Sequence, residues 1–174
     1  PSKKLAHNGL PTATEITPFI VGGRDVRPGE RTYQVSLKTT DGSHFCGGSL
    51  INREWVLTAA HCTSPGNIAK GINVMVGSLD LLDPGAVHIP VVDVIRHPEF
   101  DPSTMANDVA ILRLATPAPE SLPLLKLADE ELMESQGAPG TLATVSGWGS
   151  INDESTFVQE LQSVEVPIVA LEEC

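Results

Sequence analysis

Basic side chains are scarce in the second part of this chain. Residues 120–174 contain one Lys or Arg, Lys126, against 11 Asp and Glu, and the whole chain carries a formal net charge of −11. Neutralising phosphates takes clustered Lys and Arg, so nucleic acid is excluded as a partner. The acid excess itself reads as solvated surface and says little about function. Long apolar runs are also missing. None approaches membrane-spanning length, which argues against a membrane role, and no signal-peptide core stands near the start. Helical pattern is rare, and there is neither an internal repeat nor a low-complexity tract. Cysteine is present three times, an odd number that leaves one thiol over if two are paired.

What the chain has in quantity is short alternating segments. With 41% hydrophobic residues over 174 positions it can build one domain, or two small barrels that share an interface. The segments read "YQVSLKTT", "HFCGGSLI", "INVMVG", "AVHIPVVDVIRH", "DVAILRL", "TLATVSGW" and "LQSVEVPIV", divided by Gly, Pro, Asp and Asn. Many short strands rich in Val, Ile, Leu and Thr at near-regular spacing predict an all-β, antiparallel sandwich or barrel. One exception is "ADEELMES", which predicts two helical turns capped by Asp129. Residues 1–19 differ from all of this. They hold three prolines and no apolar periodicity, as an extended leader does, and the strand pattern begins only after Ile20. The chain opens on Pro1 rather than Met, as expected where an upstream segment has been removed.

Two stretches carry candidate chemistry. In "REWVLTAAHC", Arg53 to Cys62, a strand runs through two alanines into His61. A lone His is most often a satisfied imidazole in a core or on a surface. The small residues before this one bring the backbone close and leave the ring protruding from a tight turn. A zinc site of Cys46, His44, His61 and Cys62 is the alternative, although adjacent ligands at 61 and 62 lack the usual spacer. In "NDVAILRL", Asn107 to Leu114, Asp108 stands at the mouth of an apolar strand. Alone, it reads as a turn residue bonded to local backbone. Paired with a histidine, such a carboxylate fixes the tautomer that leaves Nε2 free as a base.

The order and spacing of "IVGG", "CGGSLI", "WVLTAAHC", "HPEFD", "NDVAILRL", "SGWG" and "LQSVEVPIV" resemble the trypsin/chymotrypsin-like serine endopeptidases, continuously over residues 20–174. The resemblance implies a chymotrypsin-like double antiparallel Greek-key β-barrel. Residues 20–125 would form a complete first barrel, and residues 126–174 a linker with the opening strands of an incomplete second one. It implies His61 as general base and Asp108 as the carboxylate that orients it. It pairs Cys46 with Cys62, a bridge worth roughly 3 kcal/mol for a loop of about 15 residues, and so implies an oxidising, extracellular compartment. Polypeptide substrates, protein protease inhibitors and an activating protease are the implied partners of a monomer without cofactor or metal. Calcium is not expected, because Ser78 stands where the first carboxylate ligand of the family's loop belongs.

The same resemblance explains "FIVGG" at residues 19–23. Cleavage of Phe19–Ile20 would free the Ile20 amine, which in this family folds inward and pairs with an aspartate beside the nucleophile. Relatives often carry Arg or Lys at the position of Phe19, so activation by a trypsin-like protease is not expected here. The family's "GDSGGP" nucleophile motif does not occur in the 174 residues. Ser49 and Ser146 lie in strand-like stretches that match no nucleophile turn. Cys174, the last residue, has its family partner in a segment not represented here and is expected to be unpaired. The expectation is therefore a secreted endopeptidase precursor that lacks its serine and specificity pocket and is inactive alone. The competing reading is a non-catalytic relative that keeps the fold as a binding module; retention of both His61 and Asp108 favours the enzyme.

Overall fold

A computed structural model describes residues 23–150, 158–170 and 172. Phe19, Ile20 and Cys174 lie outside the described residues, and so does the leader. Nine strands carry the fold: β1 Arg24–Asp25, β2 Gln34–Thr39, β3 His44–Asn52, β4 Trp55–Thr58, β5 Ile72–Val76, β6 Val87–Arg96, β7 Ala110–Leu114, β8 Leu142–Gly147 and β9 Gln162–Pro167. Among the described residues two short helices join them, α1 Pro65–Ala69 and α2 Glu130–Gln136, together with a 3-10 turn at His61–Thr63.

Six strands close into an antiparallel barrel in the order β2-β3-β4-β7-β6-β5. The run β2-β3-β4 is joined by hairpins. β5 then returns beside β2, and β7 closes the circle against β4. This return is the Greek-key connection. Period-two alternation points Val35, Leu37, Leu50, Val56, Val74, Val76, Ile89, Leu112 and Leu114 into one interior cluster, all of them buried. At Gly48 a side chain is not allowed, because a Cβ there would stand 2.8 Å from Val56 Cγ1 and 2.9 Å from the Leu57 carbonyl. β3 and β4 pass each other that closely.

β2 is buried along its whole length, polar positions included. Its inner face fills the barrel. Outside, Lys38 donates from Nζ to the Leu81 carbonyl at 2.6 Å and so ties β2 to the loop between β5 and β6. The second sheet is three-stranded, β1-β9-β8, and has its own small cluster of Val26, Met75, Trp148 and Leu161. Leu142, Val145 and Val166 on this sheet are exposed. The structure is thus all-β, with one closed barrel and a second, partial sheet.

Between the two units the chain is anchored by an arginine. Arg53 donates from Nη1 to the carbonyls of Pro119 and Leu122, both at 2.7 Å, and from Nη2 to that of Glu120 at 2.8 Å. Leu125 N–H then adds a bond to the Leu50 carbonyl. α2 follows, capped by Asp129, whose side chain accepts from Leu132 N–H at 3.0 Å. Here the expected cap, Asp129, is the one found, and the helix it opens runs one residue past the expected segment, to Gln136.

Candidate active site

His61 enters through the turn that ends β4. Ala59 and Ala60 take the chain out of the strand, and Ala60 is fully buried. Thr63 closes the turn twice on the Ala60 carbonyl, through its N–H at 3.0 Å and its Oγ1 at 2.8 Å. Asn67 then holds the next peptide, Nδ2 donating to the Cys62 carbonyl at 2.9 Å. A backbone bonded on both sides gives the imidazole a fixed origin, while its side chain stays 50% exposed.

Asp108 reaches the same place from a distant part of the chain. β4 and β7 are neighbours in the barrel, with Thr58 opposite Ala110. That register sets the residue two before β7 beside the residue three after β4. Asp108 Oδ2 lies 2.7 Å from His61 Nδ1, and Oδ1 accepts the His61 backbone N–H at 2.8 Å. One carboxylate therefore fixes both the ring and the peptide that carries it. Burial is the largest influence on the Asp108 carboxyl and favours its neutral form. The bonds from the His61 ring and backbone together outweigh it, and they hold the group below its ordinary range. An ionised acceptor at Nδ1 puts the ring proton there and leaves the Nε2 lone pair open.

The segment leading to Asp108 is shaped by backbone in the left-handed region. Met105 has φ 59° and Asn107 φ 57°, both uncommon for residues other than glycine. Asn107 is held by Nδ2 donating to the Glu99 carbonyl at 3.0 Å. Asp101 gathers the other end, accepting from Ser103 N–H, Ser103 Oγ and Thr104 Oγ1. Sequence reading missed this loop. The signal was there, since Asp followed by Pro, Ser and Thr is a strong turn composition.

A disulfide joins Cys46 of β3 to Cys62, with Cα atoms 6.1 Å apart. Cys62 Sγ lies 3.5 Å from His61 Nε2. Of the four residues in the zinc alternative, Cys46, His61 and Cys62 converge, their ligand atoms all within 4.8 Å of one another. His44 is engaged elsewhere. Its Nδ1 is 2.7 Å from Ser36 Oγ, and its ring meets the edge of Trp148 at a centroid distance of 5.6 Å. Burial, aided by the Lys38 charge, pushes the His44 pKa down to about 4. Ser49 and Ser146 sit in β3 and β8, and Ser146 Oγ donates to Gln34 Oε1 at 3.0 Å. Ser78 Oγ is engaged with the backbone of Asp80.

Residues 20–174 match the protein-family model described as Trypsin. Among curated proteins, the chain is 36% identical over 158 residues to a trypsin of Sus scrofa, an alignment that covers 89% of this chain and 64% of that protein. It is 38% identical over 157 residues to serine protease 57 of Rattus norvegicus, covering 89% and 56%. It is 37% identical over 158 residues to ovochymase-2 of Mus musculus, covering 89% and 26%. The chain thus spans less than two thirds of the length of these relatives.

Proposed function

The chain belongs to the trypsin family of serine proteases, and from that premise we propose that it is part of a secreted serine endopeptidase precursor in which His61 is the general base. The observation that carries the reading is the 2.7 Å contact between His61 Nδ1 and Asp108 Oδ2, on a half-exposed ring. His61 Nε2 takes the proton of a serine hydroxyl as that oxygen attacks the scissile carbonyl. It returns the proton to the leaving amine, and then repeats both steps with water to release the acyl group. Asp108 holds the tautomer and stabilises the imidazolium formed at each transfer. The family's nucleophile motif does not occur in the 174 residues, so the chain alone is expected not to turn over substrate.

The domain division follows the same logic. Residues 1–19 are an activation leader, residues 20–125 the first barrel, and residues 126–174 a linker with the opening strands of a second. Three features support the first boundary. They are the change from proline-rich leader to strand pattern at Ile20, the family match that begins at residue 20, and the two glycines that let the backbone enter a tight space. Cleavage of Phe19–Ile20 switches activity on by freeing the Ile20 amine. The Cys46–Cys62 bridge supports an oxidising, extracellular location, and no described helix is long and apolar enough to cross a membrane. Polypeptides are the substrates, protein protease inhibitors and an activating protease the further partners, and the protein acts as a monomer.

The test uses the protein extended to include its serine segment, cut and uncut after Phe19, with a peptide substrate and a serine-directed phosphonate. Hydrolysis and stoichiometric labelling after cleavage, both lost in His61→Ala, are the expected results. Acetylation of the new amine should abolish activity by removing its charge. Full activity in His61→Ala or in the uncut form would overturn the reading. A folded, cut protein that binds peptides without cleaving them would establish the binding-module alternative.

A further inference from the structure

We propose that Cys46, His61 and Cys62 form a latent site for a thiophilic divalent cation, zinc or cadmium, which opens when the disulfide between the two cysteines is reduced. The site rests on the placement of these three side chains and not on the hydrolytic reading.

Adjacent ligands at 61 and 62 argued against metal in the sequence, since they lack the usual spacer. In the 3-10 turn they converge, and Cys62 Sγ is 3.5 Å from His61 Nε2. A tetrahedral zinc with its usual bond lengths of about 2.3 Å to sulfur and about 2.0–2.1 Å to nitrogen has an S···N edge of about 3.5 Å. The turn already holds that edge. The S···S edge of the same tetrahedron is about 3.8 Å. Opening the disulfide releases the two sulfurs from bonding distance to non-bonded contact, which is close to that separation. All three ligand atoms start within 4.8 Å of one another, so only a small adjustment is needed.

A second, independent feature prepares the histidine. Asp108 Oδ2 accepts from His61 Nδ1 at 2.7 Å, which places the ring proton on Nδ1 and leaves Nε2 as the unprotonated nitrogen. A carboxylate behind an imidazole is the arrangement that orients ligating histidines in zinc proteins. The protein also fixes the other two ligands. Cys46 is anchored in β3, and the Cys62 peptide is held by Asn67 Nδ2. Cys62 is buried and His61 half-exposed, so the cation enters from the histidine side and keeps water as its fourth ligand.

The chemistry balances with a water-soluble phosphine as reductant. Phosphine, water and the disulfide give phosphine oxide and two thiols, the sulfur–sulfur bond taking the electron pair. The cation then replaces both thiol protons, which pass to solvent, and two thiolates cancel its double charge.

The experiment uses the 174-residue chain carrying Cys174→Ser, which removes the third thiol. Reduced anaerobically with phosphine and titrated with cadmium, it should develop a thiolate-to-metal charge-transfer absorption that saturates at one cadmium per chain. The unreduced chain should show none. Asp108→Asn should weaken the cadmium Kd by about 10–100-fold, as loss of such an orienting carboxylate does elsewhere, and His61→Ala by at least as much. Because reduction can unfold the chain, circular dichroism and melting are followed in parallel. Cadmium should restore or retain the β signal and raise the Tm of the reduced form only. An unchanged Kd in both variants would mean that the thiolates alone hold the ion, and the proposal would fail. It would fail equally if the reduced chain bound no cadmium, or stayed unfolded at saturating cadmium.

Discussion

Acidifying this protein from pH 7 to pH 5 should weaken its fold chiefly through one residue, His44. The ring sits between β2 and Trp148, with Nδ1 on Ser36 Oγ and the Lys38 ammonium on the same strand face. Burial and then that positive charge lower its pKa from 6.5 to about 4. The unfolded chain therefore takes up the proton first as pH falls. Stability from this group is complete above about pH 6.5, declines as pH falls towards about 4, and is flat below. The whole window is worth on the order of 3 kcal/mol, of which about 2 kcal/mol falls between pH 7 and pH 5. With a urea dependence of about 2 kcal/mol per molar, the unfolding midpoint should drop by about 1 M. His88 has a lowered pKa for the same reasons and adds in the same direction. The assay is therefore a comparison of urea midpoints with His44→Gln, which keeps an acceptor near Ser36 but cannot titrate. The variant should be less stable at pH 7 and lose most of the slope. Midpoints that fall in parallel in both proteins would refute the assignment to His44.

Four further outcomes are expected. Gly48→Ala forces a Cβ to within 3 Å of Val56 Cγ1 and the Leu57 carbonyl, and should cost about 1–3 kcal/mol in urea unfolding; an unchanged midpoint would mean that β3 and β4 are not so closely packed. The double variant Cys46→Ala/Cys62→Ala removes a crosslink between residues 16 apart and should lose about 3 kcal/mol. Mass mapping without reduction should find Cys174 alkylated and the other two joined. Limited proteolysis should trim the region after about residue 125 first, since Leu142, Val145 and Val166 of the second sheet are exposed and the barrel is closed; first cuts inside β2–β7 would contradict that order of stability.

Seven of the nine described strands were legible as alternating segments and β4 as the strand leading into His61, because a sheet with one buried face imposes period two on its strands. β1 was not. Arg24 and Asp25 carry no hydrophobic pattern, and they become a strand only by pairing with Gln162 and Ser163 far along the chain. His44 shows how a bulge hides a contact. Continuing the early β2–β3 register would set His44 opposite Thr39, on the face away from Ser36. The shift between Leu37 and Lys38 sets it opposite Lys38, so that Ser36 becomes its diagonal neighbour. His61 and Asp108 stood out by their surroundings, but their roles as base and orienting carboxylate came from the family resemblance. Their residue types gave no reason to expect contact across 47 positions, which the β4–β7 pairing supplies. The left-handed turns at Met105 and Asn107 carry no glycine to announce them.

The pairing of His61 with Asp108 is tested most directly by Asp108→Asn in the protein extended through its serine and cleaved after Phe19. Turnover of a peptide substrate at neutral pH should fall by ~10⁴, a magnitude carried over from the family's triad, because the amide no longer holds the tautomer that leaves Nε2 free. KM should change little, since Asp108 touches the ring and not the substrate. Turnover within about tenfold of wild type, in a variant shown by circular dichroism to be folded, would mean that Asp108 does not orient His61 for catalysis.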